Sequence, residues 1–263
     1  MNFSKISNRS VVGKLLRMPL QLIPSQTRVR IFQGPAKGLK WVVGTDDHGV
    51  WLGTYEYEKQ RKFAGLLSPG TFVFDLGAHA GFYTILAAKH VGRTGHVYAF
   101  EPCAQNCAKI RRHVAINALP NVTIVEAAVA DYEGTAQFAE GASTSTGTLL
   151  DSGGVEVKVT SLDAFIRGLP EKHQTPGLMK IDVEGAEVRV IKGAENLLRR
   201  VHPRLLLATH SMALHHECRR LLETMGYRMQ DLEIPGENGL GEIFAEADSQ
   251  VETSFFDKSA SAH

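Results

Sequence analysis

The chain has 263 residues, 43% of them apolar and 22% charged, with a formal net charge of +1. This is the composition of a globular protein with room for a sizeable core; it excludes a disordered polyampholyte and a partner held by overall positive charge. Three cysteines are too few for a disulfide scaffold and fit a reducing, cytoplasmic setting. No apolar run approaches the ~18 residues of a spanning helix. The N-terminus lacks a compact apolar segment with a small-residue cleavage site, so no signal peptide is expected.

Charge is unevenly placed. Residues 1–45 carry eight basic side chains and no acid. Residues 1–24 read as a basic extension with apolar positions interleaved. A short amphipathic helix is expected over 10–18, ending before Pro19. It can pack on the domain, on a second copy of the chain in a homo-oligomer, or on an anionic membrane surface. Residues 25–65 form an N-terminal subregion. Strand-like runs are expected at 29–32, 38–43 and 48–56, followed by a helix over 58–67. Trp51, Tyr55 and Tyr57 lie just before the main domain, where they either pack over a sheet edge or act as a lid.

From residue 71 strand and helix alternate, which predicts a doubly wound α/β sheet in one domain over 66–247. Phe72–Phe74 starts a strand buried on both faces. It runs into Asp75, then Gly77 and Gly81, then a helical pattern at Phe82, Ile85, Leu86 and Val91. Such a turn lies at a strand's carboxyl end, where ligands bind in open parallel sheets. The dinucleotide fingerprint G-x-G-x-x-G is not met: Gly77 and Gly81 are separated by three residues, and His79 holds the middle position. Asp75 would repel a pyrophosphate and suits a cationic or amino-acid-bearing ligand.

The second strand, 96–101, ends in Glu101, 26 residues after Asp75. An acid there can accept from two ribose hydroxyls. A helix is expected over 103–118; Cys103 and Cys107 read as ordinary small residues on it. The third strand is expected at 121–126. Small residues follow it and leave room for a flat base; Asp131 either accepts from an exocyclic amine or caps a turn. Residues 132–160 break the rhythm, with strands expected at 135–138 and 155–160. Between them the hydroxyl-rich stretch 141–148 reads as a linker or a mobile substrate loop. The fourth strand, 178–181, is followed by Asp182 and Glu184, and Gly185 turns the chain into a helix expected to reach 198. The fifth strand, 203–210, ends in His210. A helix over 212–225 and a hairpin of 227–232 with 242–247 close the sheet. The tail 248–263 is polar and expected to be disordered.

Asp75, Glu101 and Asp182 thus fall at the ends of three strands and converge on one crevice. Asp182, Glu184 and His210 are candidate bases, since each sits at or just past a strand end. Asp182 and Glu184 could instead hold a divalent cation, but two acids do not define a metal site and none is assigned. Glu184 and Glu187 also suit a helix start without any function.

Several blocks resemble the FkbM family of S-adenosylmethionine (SAM)-dependent methyltransferases. They are Gly49-Val-Trp-Leu-Gly-Thr-Tyr-Glu56, Phe74-Asp-Leu-Gly-Ala-His-Ala-Gly-Phe-Tyr-Thr84, Val97-Tyr-Ala-Phe-Glu-Pro102, Lys180-Ile-Asp-Val-Glu-Gly-Ala-Glu187 and Lys192-Gly-Ala194. The resemblance covers about residues 34–230. It implies the class I methyltransferase (Rossmann-like) sheet with an antiparallel last strand. It also implies O-methylation of a hydroxyl on a small molecule, sugar or natural product. No nucleic-acid partner is expected, since the basic residues cluster outside the core and no aromatic-proline base-stacking motif follows the fourth strand. Asp75, Gly77, His79, Gly81, Glu101 and Asp131 would then hold SAM, and Asp182, Glu184 and His210 would act on the acceptor. Two positions depart from the family. His79 replaces the usual asparagine. Ala208 stands where many members carry glutamate, which predicts that a partner of His210 is missing. An NAD(P)-dependent oxidoreductase and a catalytically silent binding module are the alternatives.

Overall fold

A computed structural model describes residues 20, 22–139, 148–150, 154–234 and 240–248. The helix expected over 10–18, the stretch 141–147 and the tail from 249 lie outside the described residues.

β1 (Arg28–Arg30) and β2 (Lys40–Val42) form an antiparallel pair ahead of the main sheet. The run at 48–56, read as strand-like from sequence, is instead helical over α1 (His48–Leu52). Local signals explain the difference. Asp47 accepts from the Gly49 N–H at 2.5 Å as an N-cap, and Gly53 ends the helix in the left-handed conformation at φ +73°. The helix expected over 58–67 is α2 (Tyr57–Gly65).

The main sheet has seven strands. β3 (Phe72–Leu76) runs parallel between β4 (His96–Phe100) and β10 (Leu178–Ile181). β5 (Val122–Val125) lies beyond β4, and β11 (Arg204–Thr209) beyond β10, both parallel. β13 (Gly241–Ala247) is antiparallel to β11, and β12 (Tyr227–Glu233) completes the edge. The spatial order is β12-β13-β11-β10-β3-β4-β5. The chain fills one side of β3, then crosses to fill the other. The crevice outside the carboxyl ends of β3 and β10 is therefore the topological switch point, where such sheets bind ligands.

After β5 the chain leaves this sheet. β6 (Ala128–Val129), β7 (Gly134–Ala139), β8 (Thr148–Leu150) and β9 (Val155–Thr160) make a second sheet in the order β6-β9-β7-β8. It accounts for the broken rhythm over 132–160. Helices α3 (Phe82–Val91), α4 (Ala104–Ile116), α5 (Leu162–Arg167), α6 (Glu187–Gly193), α7 (Glu195–Val201) and α8 (Met212–Thr224) cover the sheets. The single helix expected to reach 198 is two. Gly193 meets the chain after β6 so closely that a Cβ would lie 1.9 Å from the Ala130 carbonyl oxygen, and the helix breaks at Ala194. Among the described residues no helix is long and apolar enough to cross a membrane.

Residues before the main sheet share its core. Trp41, Val50, Trp51 and Phe63 pack in one cluster with Phe82, Tyr83, Ile85 and Leu86. Each large side chain so buried contributes roughly 1.5–3 kcal/mol. His113 of α4 is the polar pin in this join. Its ring stacks on Trp41 with centroids 3.7 Å apart. Nδ1 lies 2.8 Å from the Ala80 carbonyl oxygen, so it carries the proton, and Nε2 accepts the Val42 N–H at 3.3 Å. The imidazole is needed neutral, and burial pulls its pKa down from 6.5 to about 4.

The folded state thus resists a proton that the unfolded chain takes up readily. The stabilisation is complete above pH 6.5 and is lost as pH falls through about 4. Its size is at most roughly 3 kcal/mol. Urea unfolding followed across this window should show the wild type losing that stability while His113→Asn, weaker throughout, loses much less. Parallel curves would assign the acid sensitivity to other groups.

Candidate active site

Asp75, at the end of β3, stands opposite Lys180 of β10 in the sheet register. It is fully buried. Thr84 donates to its Oδ2 at 2.6 Å, and Lys180 Nζ lies 3.6 Å from Oδ1. Asp75 therefore lies behind the cleft wall, and its charge reaches the cleft through Lys180. The same ammonium is 3.4 Å from Asp182 Oδ2 and donates to the Gly77 carbonyl at 3.4 Å. Gly77 itself is at φ +77°, and a Cβ there would come within 1.8 Å of the Asp182 carbonyl oxygen. Only glycine lets the two strand ends meet this closely.

His79 takes a left-handed backbone, φ +50°. Asparagine favours that conformation and histidine is also enriched in it, so the turn survives the replacement. Its N–H donates to Glu101 Oε2 at 2.8 Å, and its Nδ1 lies 3.2 Å from Asp46 Oδ2 in the N-terminal subregion. Glu101 is buried at the tip of β4 and also accepts from the Cys103 N–H at 3.0 Å and Asn106 Nδ2 at 3.3 Å. Burial pushes its carboxyl pKa up; these donors oppose the rise. Gly81 starts α3 at φ +87° and packs on Ile110.

These elements border a cleft whose empty space, open solvent included, is about 810 Å³. Gly77, His79, Glu101, Ala127 to Val129, Asp182 and Glu184 line it, with Tyr55 from the N-terminal subregion also against it. Asp131 is not among the lining residues. It accepts from Arg189 Nε at 2.9 Å in an exposed pair. It lies in the bend between β6 and β7, where it is exposed.

Around Asp182 the charges interlock. Burial alone would raise the Asp182 pKa, but Lys180, Lys59 and His210 hold it below the usual carboxylate range. Lys59, on α2, lies 3.3 Å from Glu242 Oε1, 3.7 Å from Glu56 Oε1 and 3.8 Å from Asp182 Oδ2. Tyr83 donates to Glu56 Oε2 at 2.9 Å. Burial lifts the Glu242 carboxyl to about 6 against the pull of Lys59. Sequence reading missed Lys59, Glu56 and Glu242, because only tertiary packing brings them to the strand ends.

His210 is brought to Asp182 and Glu184, as expected. Its Nε2 lies 3.6 Å from Asp182 Oδ1 and 3.3 Å from Glu184 Oε2. The missing partner implied by Ala208 is supplied from elsewhere. Glu187, fully buried at the start of α6, places Oε1 2.8 Å from His210 Nδ1 and also accepts the Gly185 N–H at 2.9 Å. Burial works against the imidazolium, yet the Glu187 hydrogen bond and the three acids raise the His210 pKa above its ordinary value. Burial also raises Glu184, which sits at a left-handed φ of +51°.

The sheet order, the glycine turn and a buried acid at the second strand tip define a class I methyltransferase fold with a site suited to SAM. The comparisons agree. The methyltransferase FkbM domain matches residues 75–229. The chain belongs to that family of SAM-dependent methyltransferases, which sets aside the dinucleotide oxidoreductase alternative. A 62-residue segment is 43% identical to an arsenite methyltransferase of Halobacterium salinarum, covering 24% of this chain and 16% of that protein. The crystal structure of a methyltransferase FkbM from Methylobacillus flagellatus is similar over 76% of this chain and 55% of that one, with a TM-score of 0.50 and 13% identity. A SAM-dependent O-methyltransferase from Thermotoga maritima aligns over 87% of this chain and 80% of that one, with a TM-score of 0.48 and 13% identity.

Lys180 neutralises two carboxylates that burial would otherwise strand. Lys180→Met keeps the volume and removes the charge. It should lower the unfolding free energy by about 3–5 kcal/mol, measured by urea denaturation at neutral pH. A loss below about 1 kcal/mol, the value of an exposed pair, would show that the ammonium is not the counterion.

Proposed function

We propose that this protein is a SAM-dependent O-methyltransferase that methylates a hydroxyl of a small molecule, sugar or natural product. The observation that carries the reading is that Asp182 and Glu184 line the same cleft as Glu101, with His210 beside them. Bound SAM supplies an electrophilic methyl on a sulfonium. Glu101 is the acceptor for its ribose hydroxyls, with His79 and Gly77 shaping the turn beside it and Ala127 to Val129 leaving space for the adenine. Asp75 contributes through Lys180, not by touching the ligand.

The acceptor hydroxyl has to lose its proton as its oxygen bonds the methyl carbon and the carbon–sulfur bond breaks. Asp182, Glu184 and His210 surround the place where that proton leaves. Asp182 stays ionised there and stabilises positive charge on His210. Tyr55 and the buried aromatic side chains behind it exclude water, which otherwise competes for the methyl group. Asp182 and Glu184 give the cleft two carboxylates. That repels a phosphate backbone and supports a glycan or small-molecule acceptor over nucleic acid.

The protein should bind S-adenosylhomocysteine in calorimetry, and Glu101→Ala should weaken binding at least tenfold, on the order of 1.4 kcal/mol. With SAM and a panel of hydroxylated glycans and small molecules, the product should be a methyl ether by NMR. His210→Ala should reduce kcat by about 10²–10⁴ while changing the affinity for SAM only a few-fold. Methyl transfer to nitrogen or sulfur, or no cofactor binding by the folded wild type, would defeat the reading.

A further inference from the structure

Asp182 and Glu184 follow β10, and His210 follows β11, so two neighbouring parallel strands deliver three donor atoms to one spot. Those atoms lie within 4.8 Å of one another. The two sides of the imidazole differ. Nδ1 makes a hydrogen bond of 2.8 Å to Glu187. Nε2 is 3.3 Å from Glu184 Oε2 and 3.6 Å from Asp182 Oδ1, longer than the ~2.7–2.9 Å of a charge-assisted hydrogen bond. The ring is thus held by its far nitrogen and presents the other to two carboxylate oxygens without bonding tightly to either. Ligands about 2.1 Å from a single tetrahedral ion stand roughly 3.4 Å from each other. The two observed separations fall on either side of that value.

Two further features point to a cation at this spot. Glu187 is fully buried, its Oε2 has no hydrogen-bond partner among the described residues, and its Oε1 meets the imidazole. A carboxylate behind a histidine, fixing its tautomer and direction, is the usual support of a metal-bound imidazole. The local charges also divide between partners. Among the described residues Lys59 and Lys180 face Asp75, Glu56, Asp182 and Glu242, whereas Glu184 and Glu187 lie against His210. Both lysines approach Asp182 at Oδ2, whereas Oδ1 faces His210. A cation between the three donor atoms would take the place of the His210 proton and face the Asp182 oxygen that neither lysine approaches.

We propose that Asp182, Glu184 and His210 bind a divalent transition-metal cation, of the Mn²⁺ or Zn²⁺ class, with Glu187 as the residue that orients His210. Two oxygens and one imidazole nitrogen suit these ions better than Mg²⁺ or Ca²⁺, which favour all-oxygen sets. Three protein ligands leave coordination positions open toward the cleft. The role given to the ion rests on the O-methyltransferase reading: an acceptor hydroxyl coordinated there becomes more acidic, and His210 then serves as ligand, the proton leaving to solvent. Binding of the ion does not depend on that role.

The test is a Mn²⁺ titration of the chelator-treated full chain by electron paramagnetic resonance, with and without S-adenosylhomocysteine. One Mn²⁺ per chain is expected, with Kd on the order of 100 µM or tighter (roughly −5.5 kcal/mol), displaced by Zn²⁺. His210→Ala should abolish binding. Glu184→Gln, at a partly exposed position that tolerates change, should weaken it at least tenfold, and Glu187→Gln by about 10–100-fold. Glu217→Gln, on the exposed face of α8, should leave it unchanged. Absence of Mn²⁺ and Zn²⁺ binding by the wild type, or equal affinity in folded Glu184→Gln, overturns the proposal. Cofactor binding separates the two readings: S-adenosylhomocysteine bound without a cation defeats only the metal site, and a cation bound without S-adenosylhomocysteine defeats the methyltransferase reading and leaves the site.

Discussion

Carboxylates gathered at neighbouring strand ends repel one another, and this site exists because two lysines hold them in place. Lys180 is almost wholly buried and stands between Asp75 and Asp182. Burial opposes its charge, but the two acids outweigh that cost and raise its pKa. Without the ammonium, Asp75 could not remain inside the sheet, nor Asp182 ionised at the cleft. The arrangement follows from the register. Parallel pairing sets Lys180 opposite Asp75, and two residues further along the same strand direction the chain reaches Asp182 on the same side.

The second lysine ties the N-terminal subregion to the chemistry. Lys59 belongs to α2, before the main sheet begins, yet its ammonium lies among Glu56, Asp182 and Glu242. Burial opposes the charge on Lys59, and those three acids still raise its pKa. Residues 25–65 are thus more than a cover. They supply half of the fixed positive charge that holds the site, along with Tyr55 at the cleft. The apolar join through Trp41, Trp51 and Phe63 and the His113 pin give Lys59 a rigid base. Packing energy far from the cleft is spent on fixing one ammonium within it.

What the sequence made legible was what depends on neighbours along the chain. Strand runs ending in an acid, the glycine turn at Gly77 and the antiparallel closing hairpin all follow from local pattern and short-range connection rules. Glu101, Asp182, Glu184 and His210 can be singled out because each is the last or next residue after a readable strand. Glu56, Lys59 and Glu242 cannot, since their approach to Asp182 is a product of three elements packing together. The same limit applies elsewhere. The strand-like residues of 48–56 form a helix because Asp47 and Gly53 cap it. A strand-end position suggests a ligand contact for Asp75, whereas the sheet register sets it opposite Lys180. Asp131 follows small residues that leave room for a base, and in the fold it pairs with Arg189.

Glu187 shows most directly why a departure from a family pattern need not be a loss. An imidazole at a strand end needs a fixed acceptor for Nδ1; otherwise both tautomers and several ring orientations compete. A glutamate two residues earlier on the same strand can meet that need, and Ala208 cannot. The acceptor here comes instead from the first turn of α6, where negative charge is already favoured by the helix dipole and where Gly185 donates to the same oxygen. The physical requirement falls on the nitrogen, not on position 208. Any arrangement that brings a buried carboxylate within 2.8 Å of Nδ1 presents Nε2 to Asp182 and Glu184 in the same way.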